Sequence, residues 1–217
     1  MKTDWQLRLD ILEQLRADER IGPSVIDVAV HDGGVTLSGV LDNFPARAAA
    51  AHAADRVAGI RSIENEILVH LAPNCRRSDE DIAHDAASAL AWDIEVPDHA
   101  IKTRVHDAWI WISGEADWHY QRLAAERAVE NIVGVRGVTN LVRIKPRVPD
   151  TDMKAQIEAA LQRNARLGAQ QIAVVTQEGS VFLFGVVWSC LDRMAAEETA
   201  WSARGVTEVD NRVEVAA

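Results

Sequence analysis

Cysteine, basic clusters and long apolar runs are all scarce in this chain of 217 residues, and each scarcity removes a class of protein. Two cysteines, Cys75 and Cys190, cannot frame a small secreted domain of the disulfide-rich kind, so both are read as free thiols. Charges interrupt every apolar core in the opening stretch, Met1 to Arg8, and no later window approaches a membrane span. No export signal is read there, and a cytoplasmic location is expected. Acidic residues outnumber basic ones by 33 to 23, giving a formal charge of −10, and the acidity is spread over the whole length. Such a surface repels phosphate backbones, and without a Lys/Arg run or a recognition motif no nucleic-acid partner is expected. None of the seven histidines stands four residues from another, and no Cys/His cluster exists, so neither a metal nor a cofactor is expected. Nucleophile-and-base pairs with a third partner, or paired carboxylates in a pocket, are not recognisable either. The expectation is a protein that is not an enzyme, with no catalytic residues.

What the sequence has is repetition. Gly59-Ile60-Arg61-Ser62-Ile63-Glu64-Asn65 returns as Gly134-Val135-Arg136-Gly137-Val138-Thr139-Asn140, and again as Gly205-Val206-Thr207-Glu208-Val209-Asp210-Asn211. Each copy reads Gly-apolar-x-x-apolar-x-Asn. The offsets of 75 and 71 residues carry through each unit, which divides the chain into segments 1–72, 78–145 and 150–217. A glycine after a helical run and before a β-branched alternation ends the helix, because it takes a left-handed conformation without steric cost. Gly59, Gly134 and Gly205, with Asn65, Asn140 and Asn211, are therefore read as structural joints between helix and strand. Cores of about 70 residues are thin, so the units are expected to lean on each other.

Within the first unit Leu7, Ile11 and Leu15 line one helical face behind a Thr3/Gln6 capping box, predicting a helix from Asp4 to Ala17. Two alternating runs around Asp32-Gly33-Gly34 predict a β-hairpin. Asp42 or Asn43 caps a second helix that Gly59 stops, and Ile63, Ile67 and Val69 share one face of a third strand. The second unit repeats this with Ile82, Ala86 and Leu90, a hairpin from Ile101 to Gly114, and a helix over Asp117 to Val133. The third has Met153, Ile157 and Leu161, a hairpin from Ile172 to Gly185, and a helix over Ser189 to Arg204. Pro73 and the pair Pro146 and Pro149 mark the linkers. The predicted class is α+β, with three tandem α-β-β-α-β units, each a three-stranded mixed sheet carrying two helices on one face.

This unit, with a glycine ending its second strand (Gly39, Gly114, Gly185) and the Gly-apolar-x-x-apolar-x-Asn joint after its second helix, resembles the BON domain. That family is named from a bacterial osmotic-stress periplasmic protein and nodulation proteins. The resemblance implies a non-enzymatic protein tied to the envelope, to osmotic stress and to phospholipid membranes. A protein-interaction or chaperone-like scaffold is the alternative, and a potassium or metabolite sensor the third.

Strand alternation turns Ile110 and Ile112 toward the helices and Trp109 and Trp111 away from them, on the side of Lys102, Arg104 and Arg143. Indole beside cations suits a phosphate headgroup at a membrane surface. The same side of the third unit carries Phe182 and Phe184. Lipid competes there with another apolar face, supplied by stacking of the second and third sheets, by a protein partner or by a second copy of the chain. Arg47, Arg122 and Arg193 recur on the second helices and are read as solvated side chains beside Glu126 and Glu197, rather than as a shared anion site.

Overall fold

The computed structural model describes residues 2–22, 26–97, 100–145, 150–165, 167 and 171–216. The first unit runs α1 (Asp4–Ala17), β1 (Ile26–His31), β2 (Gly34–Leu41), α2 (Phe44–Asp55) and β3 (Ser62–Val69). The second runs α3 (Asp79–Trp92), β4 (Ile101–His106), β5 (Trp109–Ala116), α4 (His119–Glu130) and β6 (Gly137–Ile144). The third runs α5 (Asp150–Arg163), β7 (Ile172–Gln177), β8 (Ser180–Val187), α6 (Cys190–Trp201) and β9 (Glu208–Val215). A 3-10 turn at Pro73–Cys75 joins the first two units; the Pro146 and Pro149 linker lies outside the described residues. In every sheet the middle strand of the sequence is also the middle strand in space, antiparallel to its hairpin partner and parallel to the strand that returns through the second helix. The class is α+β, in three mixed three-stranded sheets with two helices each.

Local chemistry explains where the elements start. Thr3 accepts from the Gln6 amide while the Gln6 side chain accepts from the Thr3 amide, closing the expected capping box. Asn43 caps α2, Ser78 caps α3 and Ser189 caps α6, each accepting an orphan amide three residues on. A clamp not visible in the repeat pattern ties the first helix to the hairpin. Both Asp4 carboxylate oxygens accept backbone N–H groups of the turn, from Asp32 and Gly33, and Asp79 does the same for Asp107 and Ala108. Those turn residues hold positive φ, and Ala108 at 60° does so without being glycine. A carboxylate with two donors is enough to hold a turn that an alanine resists.

The second helices end earlier than the sequence predicts. α4 stops at Glu130 and α6 at Trp201, rather than at Val133 and Arg204, and each glycine of the joint sits four residues beyond its helix. A tight turn fills the interval, with backbone bonds such as Val57 to Ala54 and Ala203 to Ala200 spanning three residues. The glycines do hold positive φ, 102° at Gly59, 96° at Gly134 and 89° at Gly205. They turn the chain into the last strand instead of terminating the helix directly.

Each unit has its own core, centred on Ile11 and Leu37, on Ile82 and Ile112, and on Ile157 and Leu183. The units also interlock, through one position on the second helix. Phe44, His119 and Cys190 occupy equivalent places at the start of α2, α4 and α6. Phe44 packs into the core of the second unit. His119 stacks on Trp201 of the third unit, ring centroids 3.9 Å apart and planes 10° from parallel. The Cys190 thiol donates to the Arg61 carbonyl of the first unit at 3.7 Å. The contacts therefore run from first to second, second to third and third back to first, closing the three units into a ring.

Candidate functional site: open sheet faces and unit joints

On the open face of the second sheet, pairing sets Trp109 opposite His106 and Gly137, and Trp111 opposite Arg104 and Thr139. The two indoles are half-buried neighbours, 6.4 Å between centroids. Trp109 is fixed in place: its ring lies so close over Gly137 that any Cβ there would come within 2.6 Å of it, and its indole N–H donates to the Thr139 hydroxyl at 2.8 Å. Of the cations expected beside these rings, Arg104 stands directly across from Trp111 and Lys102 one same-face step beyond, opposite Ser113. Arg143 is not brought to the indoles. It pairs with Glu115, four residues along β5 from Trp111, a distance of about 13 Å along a strand.

The third sheet presents a different surface. Phe182 and Phe184 lie on its open face opposite Val175 and Ala173, and Arg212 covers both rings at 5.6 and 5.8 Å. Arg212 is itself held by Asp210 at 2.7 Å. Among the described residues no ring contact joins Trp109 or Trp111 to Phe182 or Phe184, so the second and third sheets do not stack through these side chains. The units meet through their second helices instead.

The joint residues have structural partners. Asn140 donates to the Arg122 carbonyl of α4 at 2.9 Å and accepts from the Val142 amide at 3.1 Å, sewing the last strand to the second helix. Asn65 and Asn211 repeat both bonds with Arg47 and Ile67, and with Arg193 and Val213. The arginines they bind are not the solvated side chains the sequence suggests. Each is half-buried, the Nε atoms of Arg47 and Arg122 are buried without a hydrogen-bond partner among the described residues, and Arg122 lies 5.9 Å from the Trp201 ring centroid. The cover comes from the neighbouring unit: Arg122 of α4 lies by Trp201 of α6, and Arg193 of α6 lies near enough to Asp55 of α2 to act on its carboxyl.

Electrostatics at the joints follow burial. Asp55, Glu130 and Trp201 are equivalent positions near the ends of the second helices. Burial raises the Asp55 carboxyl, against His52 and Arg193, and raises Glu130, where the nearby Glu126 adds to the effect. His119 is lowered to about 4, first by burial under Trp201 and then by the Arg122 charge. Burial likewise pushes the Cys190 thiol up. These are the marks of packed contacts between the units.

Sequence reasoning missed the ring and its stacked pair. The equivalence of Phe44, His119 and Cys190 was available from the offsets, but nothing in the sequence says that a capping-turn residue faces another unit.

Comparison with solved structures gives low-scoring likenesses. The C-terminal domain of CdsD, described as a structural protein of the type III secretion system of Chlamydia trachomatis, is 13% identical at a TM-score of 0.28, covering 96% of this chain and 98% of that one. The periplasmic domain of PrgH is 11% identical at 0.24, covering 95% and 100%. Scores of this size carry no functional argument. No curated protein matches the chain. The family comparison is decisive, since the BON domain matches three times, over residues 3–70, 78–146 and 149–217. With the α-β-β-α-β unit, the joint glycines and the strand-to-helix asparagine present in every copy, the chain belongs to the BON domain family, as a ring of three such domains.

Proposed function

We propose that the protein is a non-enzymatic binding protein of the bacterial envelope whose second unit docks on anionic phospholipid. The observation that carries this reading is the pairing of Trp111 with Arg104, and Lys102 beyond it, on a sheet face that no other unit covers with a ring contact among the described residues. An indole at the interface with guanidinium and ammonium beside it suits a phosphate headgroup, and on a chain of charge −10 a local basic strip is what makes anionic lipid approachable. The first unit cannot substitute for it, because its equivalent positions include Asp27, Thr36, Ser38, Glu64 and Glu66.

Co-sedimentation with vesicles of phosphatidylglycerol and of phosphatidylcholine tests this. Wild-type protein pelleting with the anionic vesicles, and a folded Trp111→Ala/Arg104→Glu variant remaining in the supernatant, is the expected pair of results. Wild-type protein that stays soluble with both vesicles overturns the reading.

A second reading has its own support. Val175, Phe184 and Val186 are exposed on the third sheet's open face, with Arg212 laid across the phenyl rings. That apolar strip suits a protein partner or a second copy of the chain. A mass that rises with concentration in sedimentation equilibrium, and falls to that of one chain in Phe184→Ser, distinguishes this interaction from lipid docking.

A further inference from the structure

The open faces of the second and third sheets carry opposite charge along one edge strand each. In the second sheet β4 turns Lys102 and Arg104 outward, and neither has a carboxylate within ion-pair distance among the described residues. Beside them β5 presents Trp109 and Trp111, and β6 presents Thr139 and Leu141. Glu115, at the far end of this face, is matched by Lys145 at 3.6 Å and stands opposite Arg143. Asp79 and Asp107 lie beyond the strip, at the turn beside His106. In the third sheet β7 presents Ala173 and Val175, and β8 presents Phe182 and Phe184. There β9 carries Glu208, Asp210 and Glu214 around one cation, Arg212. Asp210 holds Arg212 at 2.7 Å, which leaves Glu208 and Glu214 as surplus charge on that edge.

Strand order decides what these edges can meet. Both sheets run from hairpin edge through middle strand to returning strand. When one is turned face down on the other with the middle strands parallel, the order of the upper sheet reverses. Then β4 lies over β9, β5 over β8 and β6 over β7. The basic strand covers the acidic one, the indoles meet the phenyl rings, and Leu141, 56% exposed, meets Val175, 50% exposed. Aligned sheets pack about 10 Å apart, a gap that facing Arg and Glu side chains span together. Other stacks fail this test. The third face on itself sets carboxylates over Val175 or over carboxylates, and the second on itself sets Arg104 near Arg143 or near Arg104. The first sheet offers an acidic edge, Glu64 and Glu66, but has Thr36 and Ser38 where the third has Phe182 and Phe184. Within one chain the second and third faces make no ring contact among the described residues, so the match needs another copy.

We propose that the open face of the second sheet receives the open face of the third sheet of another copy of this chain, joining chains head to tail. This rests on the second reading above and adds the surface that the phenylalanine face meets. Because the two surfaces differ, each chain keeps one of each unmatched until a closed assembly forms. A face of three strands by six residues measures about 15 Å by 20 Å, smaller than a permanent interface. Association is accordingly weak and salt-sensitive, with a Kd on the order of 0.1 mM.

Sedimentation equilibrium of the whole chain, without lipid, tests this at concentrations up to about 0.5 mM, several times that Kd. Wild-type mass should rise with concentration above that of one chain, and fall back as salt is raised to about 0.5 M. Lys102→Glu/Arg104→Glu blocks the second face and Phe184→Asp blocks the third; all three positions are exposed, and melting temperatures check that both variants fold. Each variant alone should keep the mass of one chain. Mixed in equal amounts they should form a pair and nothing larger, since one intact second face then meets one intact third face. Wild-type protein that stays at one chain's mass overturns the proposal, as does a mixture that fails to pair. A Lys102→Glu/Arg104→Glu protein that assembles like wild type while Phe184→Asp does not leaves the second reading standing and removes this one. Vesicle pelleting is read separately, so a failure here leaves the lipid reading intact.

Discussion

The covered and uncovered sides of the three units have followed different rules. Beneath the helices the copies agree position for position: Leu7, Ile82 and Met153, then Ile11, Ala86 and Ile157, fill the same sites, and Asn65, Asn140 and Asn211 make the same two bonds. On the open sheet faces and at the joints they disagree. One joint position is Phe44, His119 or Cys190, and one sheet position is Gly34, Trp109 or Ser180. Agreement marks what each unit needs in order to fold, and disagreement marks what the assembled ring does. A substitution on the covered side should therefore cost stability, and one on the open side should alter binding.

The largest effect belongs to a glycine of the shared framework. Gly114 lies in β5 at φ 140°, and a Cβ there would stand 2.1 Å from the Ala100 carbonyl oxygen, which is backbone and cannot swing aside. Gly114→Val should destabilise the second unit by about 3 kcal/mol or more. Gly134 at the helix-to-strand joint is more forgiving, because the nearest atoms to a Cβ there, the Arg77 Cβ and the Cys75 carbonyl oxygen, would be 3.2 Å away, a gap closed by a shift of a few tenths of an ångström. Gly134→Val should cost about 1 to 2 kcal/mol. Urea unfolding of the two variants ranks them, and the reverse order would mean that the joint, not the strand glycine, is the rigid point of the unit.

The next effect tests a position where the copies differ. His119 has a folded pKa of about 4 against an ordinary value of 6.5, so the unfolded chain takes up its proton first as the pH falls. Stability from this group is complete above about pH 6.5, declines toward pH 4 and is level below that. Because the imidazole is only partly buried, the loss is about 2 kcal/mol or less. His119→Phe, which installs the residue of the first unit, should flatten that part of the pH dependence. Melting temperatures of both proteins at pH 7 and pH 4.5 provide the comparison; equal shifts would show that the stacked imidazole does not control the joint. The raised carboxyls of Asp55 and Glu130 work in the opposite sense and cancel in the difference.

The framework was legible because it obeys short-range rules. The first helix could be placed from Thr3, Gln6 and the Leu7, Ile11, Leu15 spacing, and the parallel third strand follows from a crossover helix of one hand. The candidate face was legible only as a list of residues. Alternation put Trp109, Trp111, Arg104 and Arg143 on one side, but register decides distance, and it carried Arg143 away to Glu115. The joints were not legible at all, since a helix arginine such as Arg122 looks the same in sequence whether it faces water or the Trp201 ring. The Asp79 clamp on Ala108 was hidden for a related reason, as it links residues 29 apart through a turn that lacks glycine at that position.

The smallest effect separates the two indoles of the candidate face. Trp109 is part of the sheet's own packing, flat over Gly137 and bonded to Thr139, so Trp109→Ala removes apolar contact and leaves a hydroxyl to find water. Trp111 meets Trp109 across 6.4 Å and stands beside Arg104, contacts worth about 1 kcal/mol or less at a half-exposed site. Trp111→Ala should therefore melt within a few degrees of wild type, and Trp109→Ala distinctly lower, by calorimetry at pH 7. That ordering makes Trp111 the informative residue for the vesicle assay, since its loss changes the surface without loosening the sheet beneath. A Trp111→Ala protein that melts lower than Trp109→Ala would instead assign both rings to the framework, and would move the search for a contact surface to the third unit's phenylalanines.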